Sequence, residues 1–153
     1  MRLWHKDLLD VLPRQQLLGQ WRECCLIAKN IKEKGTPNHI LVNRIMNYPI
    51  EHFYLYASEV ADEMEKREYK CDFSKFTKYI TLERCHVTHD EMFKDWHNDR
   101  YLNQCVSNLQ EKYDCGGISY KEYDQVLDQY TYILYKWPRR PLECILRGFG
   151  ISG

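Results

Sequence analysis

Between Pro13 and Gly35 the chain carries an apolar stripe at helical spacing, and that stripe constrains the fold more than any other feature. Leu17, Leu18, Trp21, Cys24, Cys25, Ala28 and Ile31 recur at steps of three and four, so they share one helix face. Pro13 suits the first helical position, where a missing N–H costs nothing, and Gly35 suits the left-handed residue that ends a helix. Lys32 and Lys34 in the last turn complement the helix dipole. The same period continues downstream. Thr36-Pro37 predicts a shorter helix with Ile40, Leu41, Ile45 and Met46, and Pro49 opens one carried by Ile50, Phe53, Ala57, Val60, Ala61 and Met64. Residues 73–80 fit no single pattern. Thr88-x-x-Glu91 and Ser119-x-x-Glu122 are capping-box sequences. Between them Leu102, Cys105, Val106 and Leu109 trace a helix ending before Gly116-Gly117. Tyr123, Val126, Leu127, Tyr130 and Leu134 trace the last long one, and an aromatic and basic non-helical tail follows from Tyr135. No alternating strand pattern, internal repeat or linker competes. The expectation is an all-α protein: one compact helical domain over 1–153 with an irregular C-terminal tail.

A length of 153 residues suits one domain, and 44% hydrophobic content is too apolar for a disordered chain. No apolar run is long enough to span a membrane, and the charged start is not expected to be a leader. Seven cysteines, an odd number without a CxxC pair, fit reduced thiols in the cytoplasm better than a disulfide framework. Basic and acidic side chains balance at 22 each, which at first disfavours a nucleic-acid partner. The distribution changes that reading. Residues 1–50 carry a net +4, residues 51–134 a net −7, and residues 135–153 a net +3. If the two ends meet they form one positive face, and the zero total then limits nonspecific DNA affinity rather than forbidding it.

Within the first helix, Gly19 lies four residues before Glu23 and so one turn away on the same face. A helical glycine costs about 1 kcal/mol relative to alanine. It either makes room for a ligand beside Glu23 or, more commonly, allows close helix packing. By residue type alone, Arg22 and Glu23 read as ordinary surface charges. Cys85-His86-x-x-His89, followed by His97, offers one short ligand pair where a zinc site wants two, so no metal is expected. His52 reads as structural, and Cys24-Cys25 as core packing.

The start Met-Arg-Leu-Trp, followed by Gln15-x-Leu-x-x-x-Trp-Arg-Glu23, resembles the pyrimidine-dimer DNA glycosylases of the phage endonuclease V type. A weaker likeness extends through Asn38-His39-Ile, the segment from Phe53 to Lys70, the stretch from His97 to Lys112 and the tail around Trp137. The resemblance implies an enzyme that releases the base at a pyrimidine dimer and then cleaves the strand at the abasic site, without a cofactor. It makes the N-terminal α-amine the nucleophile that forms a Schiff base with deoxyribose C1′. Glu23 then assists base release and β-elimination. Arg2 is too large for removal of the initiator methionine, so the amine is that of Met1, whereas the phage-type enzyme exposes a threonine. The α-amine is also the amine most readily neutral near pH 7, its class having a pKa of about 7.8 against about 10.4 for lysine. The implied partner is double-stranded damaged DNA, with no membrane. Arg2, Arg14, Gln16, Arg22, Lys29 and His39 are the candidate contacts, joined from the tail by Lys136, Trp137, Arg139 and Arg140. Two positions depart from the family pattern: Gln16 replaces a histidine, and Leu26 replaces an arginine. The alternative is a noncatalytic helical DNA-binding or regulatory module that keeps the fold.

Overall fold

The stripe between Pro13 and Gly35 forms α1 (Arg14–Lys34) in the computed structural model, which describes residues 1–136. Pro13 stands at the N-cap rather than within the first turn. Its ψ of 150° is extended, and its carbonyl accepts the first helical bond, from the Leu17 N–H at 3.0 Å. Gly35 ends the helix at a φ of 74°, the left-handed conformation anticipated for it. α2 (Ile50–Lys66), capped by Pro49, packs on α1, burying Phe53, Tyr56, Ala57, Val60, Ala61 and Met64. α3 (Ser74–Thr77) is one turn that places Phe76 in the core against α1. α4 (Asp99–Asp114) and α5 (Tyr120–Tyr135) follow and pack on each other. The Ser119–Glu122 box is complete at the start of α5. Among the described residues every regular element is helical, as the periodicity indicates.

A short 3-10 segment, Lys6–Val11, has no counterpart in the sequence reading, yet it ties the helices together. It packs on α2 and α5, and Leu3, Leu8 and Leu12 are wholly buried around it. Two cations tie it to the rest of the fold by capping open carbonyls, Lys6 those of the turns at residues 89–92 and Arg67 those of the segment itself and of Leu12. Lys6 Nζ donates to the carbonyls of His89, Asp90 and Met92 at 2.8, 3.0 and 2.8 Å. Arg67 donates to those of Leu12 and Asp10 at 2.7 and 3.2 Å. A buried carbonyl without a donor costs free energy of the order of a lost hydrogen bond, so these side chains replace a regular ladder.

Two expected elements differ. The helix predicted from Thr36-Pro37 does not form: Asn38 has a φ of 61°, and only a 3-10 turn, Asn43–Asn47, follows. Asn43 Oδ1 accepts the His39 N–H at 3.0 Å and His39 Nδ1 accepts the Leu41 N–H at 3.2 Å, so side chains take donors that a helix would use. Of its supposed apolar stripe only Ile45 is buried, while Ile40, Leu41 and Met46 are exposed. The Thr88–Glu91 box makes both reciprocal bonds, at 3.1 and 3.3 Å, but opens a run of turns rather than a helix. α4 begins ten residues later, capped by Asn98.

His89 lies between two carboxylates, with Nε2 2.6 Å from Asp7 Oδ1 and Nδ1 2.8 Å from Glu59 Oε2. The bonds to Asp7 and Glu59 outweigh partial burial and raise its pKa from 6.5 to about 10. A histidine with a raised folded pKa stabilises the fold fully below its unfolded value and loses that contribution as pH rises through the folded one. The urea midpoint is therefore expected to fall between pH 6.5 and about 10, and His89→Gln to flatten that slope. Equal slopes in the two proteins would count against the bridge.

Candidate active site

The N-terminus is drawn to α1 by one buried amide. Leu3 is fully buried and Trp4 nearly so, which pulls the first residues into the core, and Gln20 then satisfies their backbone. Its Oε1 accepts the Trp4 N–H at 2.8 Å and its Nε2 donates to the Arg2 carbonyl at 3.0 Å. The Tyr56 hydroxyl donates to the Trp4 carbonyl at 2.6 Å and lies 3.0 Å from Gln20 Oε1. Tyr101 from α4 reaches the Leu3 carbonyl at 2.5 Å. Three elements thus fix three consecutive residues.

Glu23 lies three residues beyond Gln20, on the same face. Its Oε2 accepts the Arg2 N–H at 3.2 Å, which leaves Oε1 facing the Met1 amine at 4.0 Å. The two groups share an open concavity of about 290 Å³, where Gln16, Gly19 and Glu23 form one wall and Asn108 and Lys112 of α4 another. Gln16 Oε1 is buried without a hydrogen-bond partner. Arg2 is stacked over Trp4, 5.1 Å from the ring centroid, which restricts where its guanidinium can point. This arrangement sets an amine, a carboxylate and two cations around a space open to solvent.

Of the residues proposed from sequence, Met1, Arg2, Gln16 and Glu23 meet here. The others stand apart from the concavity. Arg14 is held at the start of α1, where its N–H donates to Glu122 at 2.8 Å and its guanidinium lies over Tyr69. Arg22 borders a different groove with Trp21, Met64 and Lys70, and Lys29 is exposed two turns further along α1. His39 builds the turn before Asn43. Lys136 ends α5 at a φ of 58°, while Trp137, Arg139 and Arg140 lie outside the described residues. The meeting of the two basic ends involves those same residues. Asn108 and Lys112 were missed. Their only signal is an i, i+4 spacing on α4 away from Leu102, Cys105, Val106 and Leu109.

Gly19 is not a helix-packing glycine. A Cβ built there would meet only Arg22 Nη2, at 3.9 Å, so the position opens onto the concavity instead of a neighbouring backbone. The histidines near Cys85 diverge. The His86 N–H binds Glu51, His89 bridges Asp7 and Glu59, and His97 is buried with Nδ1 accepting the Lys6 N–H at 2.9 Å. Burial, with His5 beside it, holds His97 well below the usual histidine range, so it is a neutral core residue. Among the described residues no group of three or more His, Cys, Asp or Glu side chains is disposed to hold a metal ion. Cys24 is wholly buried, and desolvation pushes its thiol well above the ordinary range, which leaves it without thiolate character.

The sequence pattern of a family described as pyrimidine dimer DNA glycosylase matches residues 1–77, half of the chain. This chain belongs to that family. No curated protein and no solved structure matches it. The part of this pyrimidine dimer glycosylase family member that matches holds Met1, Arg2, Gln16, Gly19 and Glu23, with α1 to α3. Asn108 and Lys112, the opposite wall of the concavity, come from beyond it.

Two substitutions separate the roles of neighbouring α1 residues. Gly19→Ala is expected to raise stability by about 0.5–1 kcal/mol, because the helix gains propensity without a clash. Gln20→Leu is expected to cost about 2–4 kcal/mol, since it strands the Trp4 N–H and the Arg2 carbonyl. Urea unfolding of both variants measures this, and a neutral Gln20→Leu would show that the amide does not hold the N-terminus.

Proposed function

We propose that the protein is a DNA glycosylase with abasic-site lyase activity, acting on pyrimidine dimers or related base damage in duplex DNA. The observation that carries this reading is the Met1 amine 4.0 Å from Glu23 Oε1 in an open concavity. A sugar C1′ entering the concavity beside the pair stands within reach of both atoms. The neutral amine attacks C1′, the N–C bond forms, and the glycosidic bond breaks as the base leaves with its electron pair. The added nitrogen loses a proton, the C1′–O4′ bond of the sugar ring opens with O4′ taking up a proton, and the nitrogen lone pair forms the C1′=N bond of the protonated Schiff base. Glu23 opposes the cationic charge that develops on the sugar, then takes a C2′ proton, and the 3′-phosphate departs by β-elimination. Arg2 and Lys112 suit the phosphates flanking the lesion, and Gln16 lines the wall that the DNA meets beside them. Arg14, Arg22, Lys29 and the tail residues Lys136, Arg139 and Arg140 are assigned to the wider phosphate path and Trp137 to stacking on sugar or base, with His39 shaping the turn beside it.

Borohydride reduction of an enzyme–DNA mixture containing an abasic site is expected to trap a covalent adduct at Met1. Glu23→Gln is expected to lower strand cleavage by at least about 100-fold, the usual contribution of a general base. Any residue left in front of Met1 by a tag is expected to abolish cleavage. Equal cutting by tagged and untagged protein would show that another group is the nucleophile. No adduct, with Glu23→Gln behaving as the wild type, would leave the noncatalytic DNA-binding module.

A further inference from the structure

A second and larger concavity, of about 630 Å³, adjoins the first, and Arg2 and Asn108 line both. Arg44 and Arg100 add two more cations to it, and Arg44 is stacked on Trp96 at 5.5 Å from the ring centroid. At its edge stand Ile40, 83% exposed, and Leu41, 50% exposed. Two adjacent large aliphatics in water forgo the stabilisation that burial would bring. Their turn is also well built. The Val42 and Asn43 N–H groups donate to the His39 carbonyl at 3.0 and 2.9 Å, Asn43 Oδ1 receives the His39 N–H, and Val42 is fully buried beneath. The backbone that carries Ile40 and Leu41 outward is thus held from both sides.

We propose that Ile40 and Leu41 form an apolar wedge that enters the base stack of duplex DNA beside the lesion, while Arg44 and Arg100 hold the phosphates of the kinked strand. The inference rests on the reading of Met1 and Glu23 as a DNA-damage site. Charge complementarity supplies the occupant: among the described residues three arginines and no carboxylate line the groove, and the groove runs into the amine site through Arg2. Apolar side chains inserted between base steps unstack and kink a duplex, and unstacking is cheapest at a damaged step. Such a wedge gives the enzyme access to a sugar that an undistorted duplex shields.

The test uses a duplex with a non-cleavable tetrahydrofuran abasic analogue and 2-aminopurine in the neighbouring position. The wild-type chain is expected to raise 2-aminopurine fluorescence at least about twofold on binding, as followed in parallel by anisotropy. The double variant Ile40→Ser, Leu41→Ser is expected to bind with less than half of that rise. Its cleavage of an abasic site in duplex, taken relative to the same site in a single strand, is expected to drop at least about tenfold. Arg44→Gln and Arg100→Gln are each expected to reduce the salt slope of binding by about one. An unchanged fluorescence rise in the double variant overturns the wedge, as does a wild-type complex that forms without a rise. Sedimentation that shows a wild-type dimer and a monomeric double variant, with the fluorescence unchanged, assigns the patch to self-association and overturns it too. The two readings fail separately. A borohydride adduct without a wedge-dependent rise removes only the wedge, and a wedge-dependent rise without an adduct removes only the lyase.

Discussion

The amide of Gln20 joins the Trp4 N–H, the Arg2 carbonyl and, through Tyr56, the Trp4 carbonyl, and the position of the N-terminus depends on this junction. Leu3 and Trp4 supply the driving force by entering the core, but burial alone has no direction. Hydrogen bonds supply it, because a buried N–H or carbonyl left unpaired costs free energy that a mispositioned segment cannot recover. With Arg2, Leu3 and Trp4 fixed, the Met1 amine stands 4.0 Å from Glu23, one turn of α1 away from the amide that fixes them. The amine of a chain end, normally the least ordered part of a protein, is thereby set beside a helix face.

The same segment is secured on its far side by different means. Lys6 and Arg67 cap carbonyls with charge-assisted bonds, and His89 links Asp7 to Glu59. Burial alone would raise the Asp7 carboxyl, yet the bond from His89, with His5 and Lys6 close by, takes it below the usual carboxylate range. Cations that a tally of charge assigns to a DNA face are thus spent on structure, Lys6 above all. The positive groups around the Met1 concavity come instead from Arg2 and from Lys112, in a segment whose net charge is negative. Local placement, rather than the sum, sets the potential that an approaching phosphate meets.

The long helices were legible because period and punctuation agree. Pro13 and Gly35 bracket α1, Pro49 opens α2, and Ser119 with Glu122 opens α5. Failures came where short-range chemistry opposed the period. Residues 36–46 have helical spacing, but the Asn43 and His39 side chains claim backbone donors and Asn38 turns left-handed. Thr88 and Glu91 make the bonds of a helix start with no apolar run behind them to bury, so no helix grows. The 3-10 segment at Lys6–Val11 left no trace, since its apolar residues are ordered by lysine and arginine contacts 55 or more positions away.

By itself the sequence determined the helical class, the apolar faces, and one helix face bearing Gln16, Gly19, Gln20 and Glu23, because residues within two turns of one helix stand in a fixed geometry. Its first 77 residues also determined the family. Only the tertiary structure decided the 4.0 Å separation of the Met1 amine and Glu23, that Asn108 and Lys112 complete the wall, and that Ile40 and Leu41 face outward above an arginine groove. The first two of those relations join residues from 22 to 111 positions apart in the chain numbering. They are set by which buried polar groups can be satisfied together, and a local pattern carries no record of that.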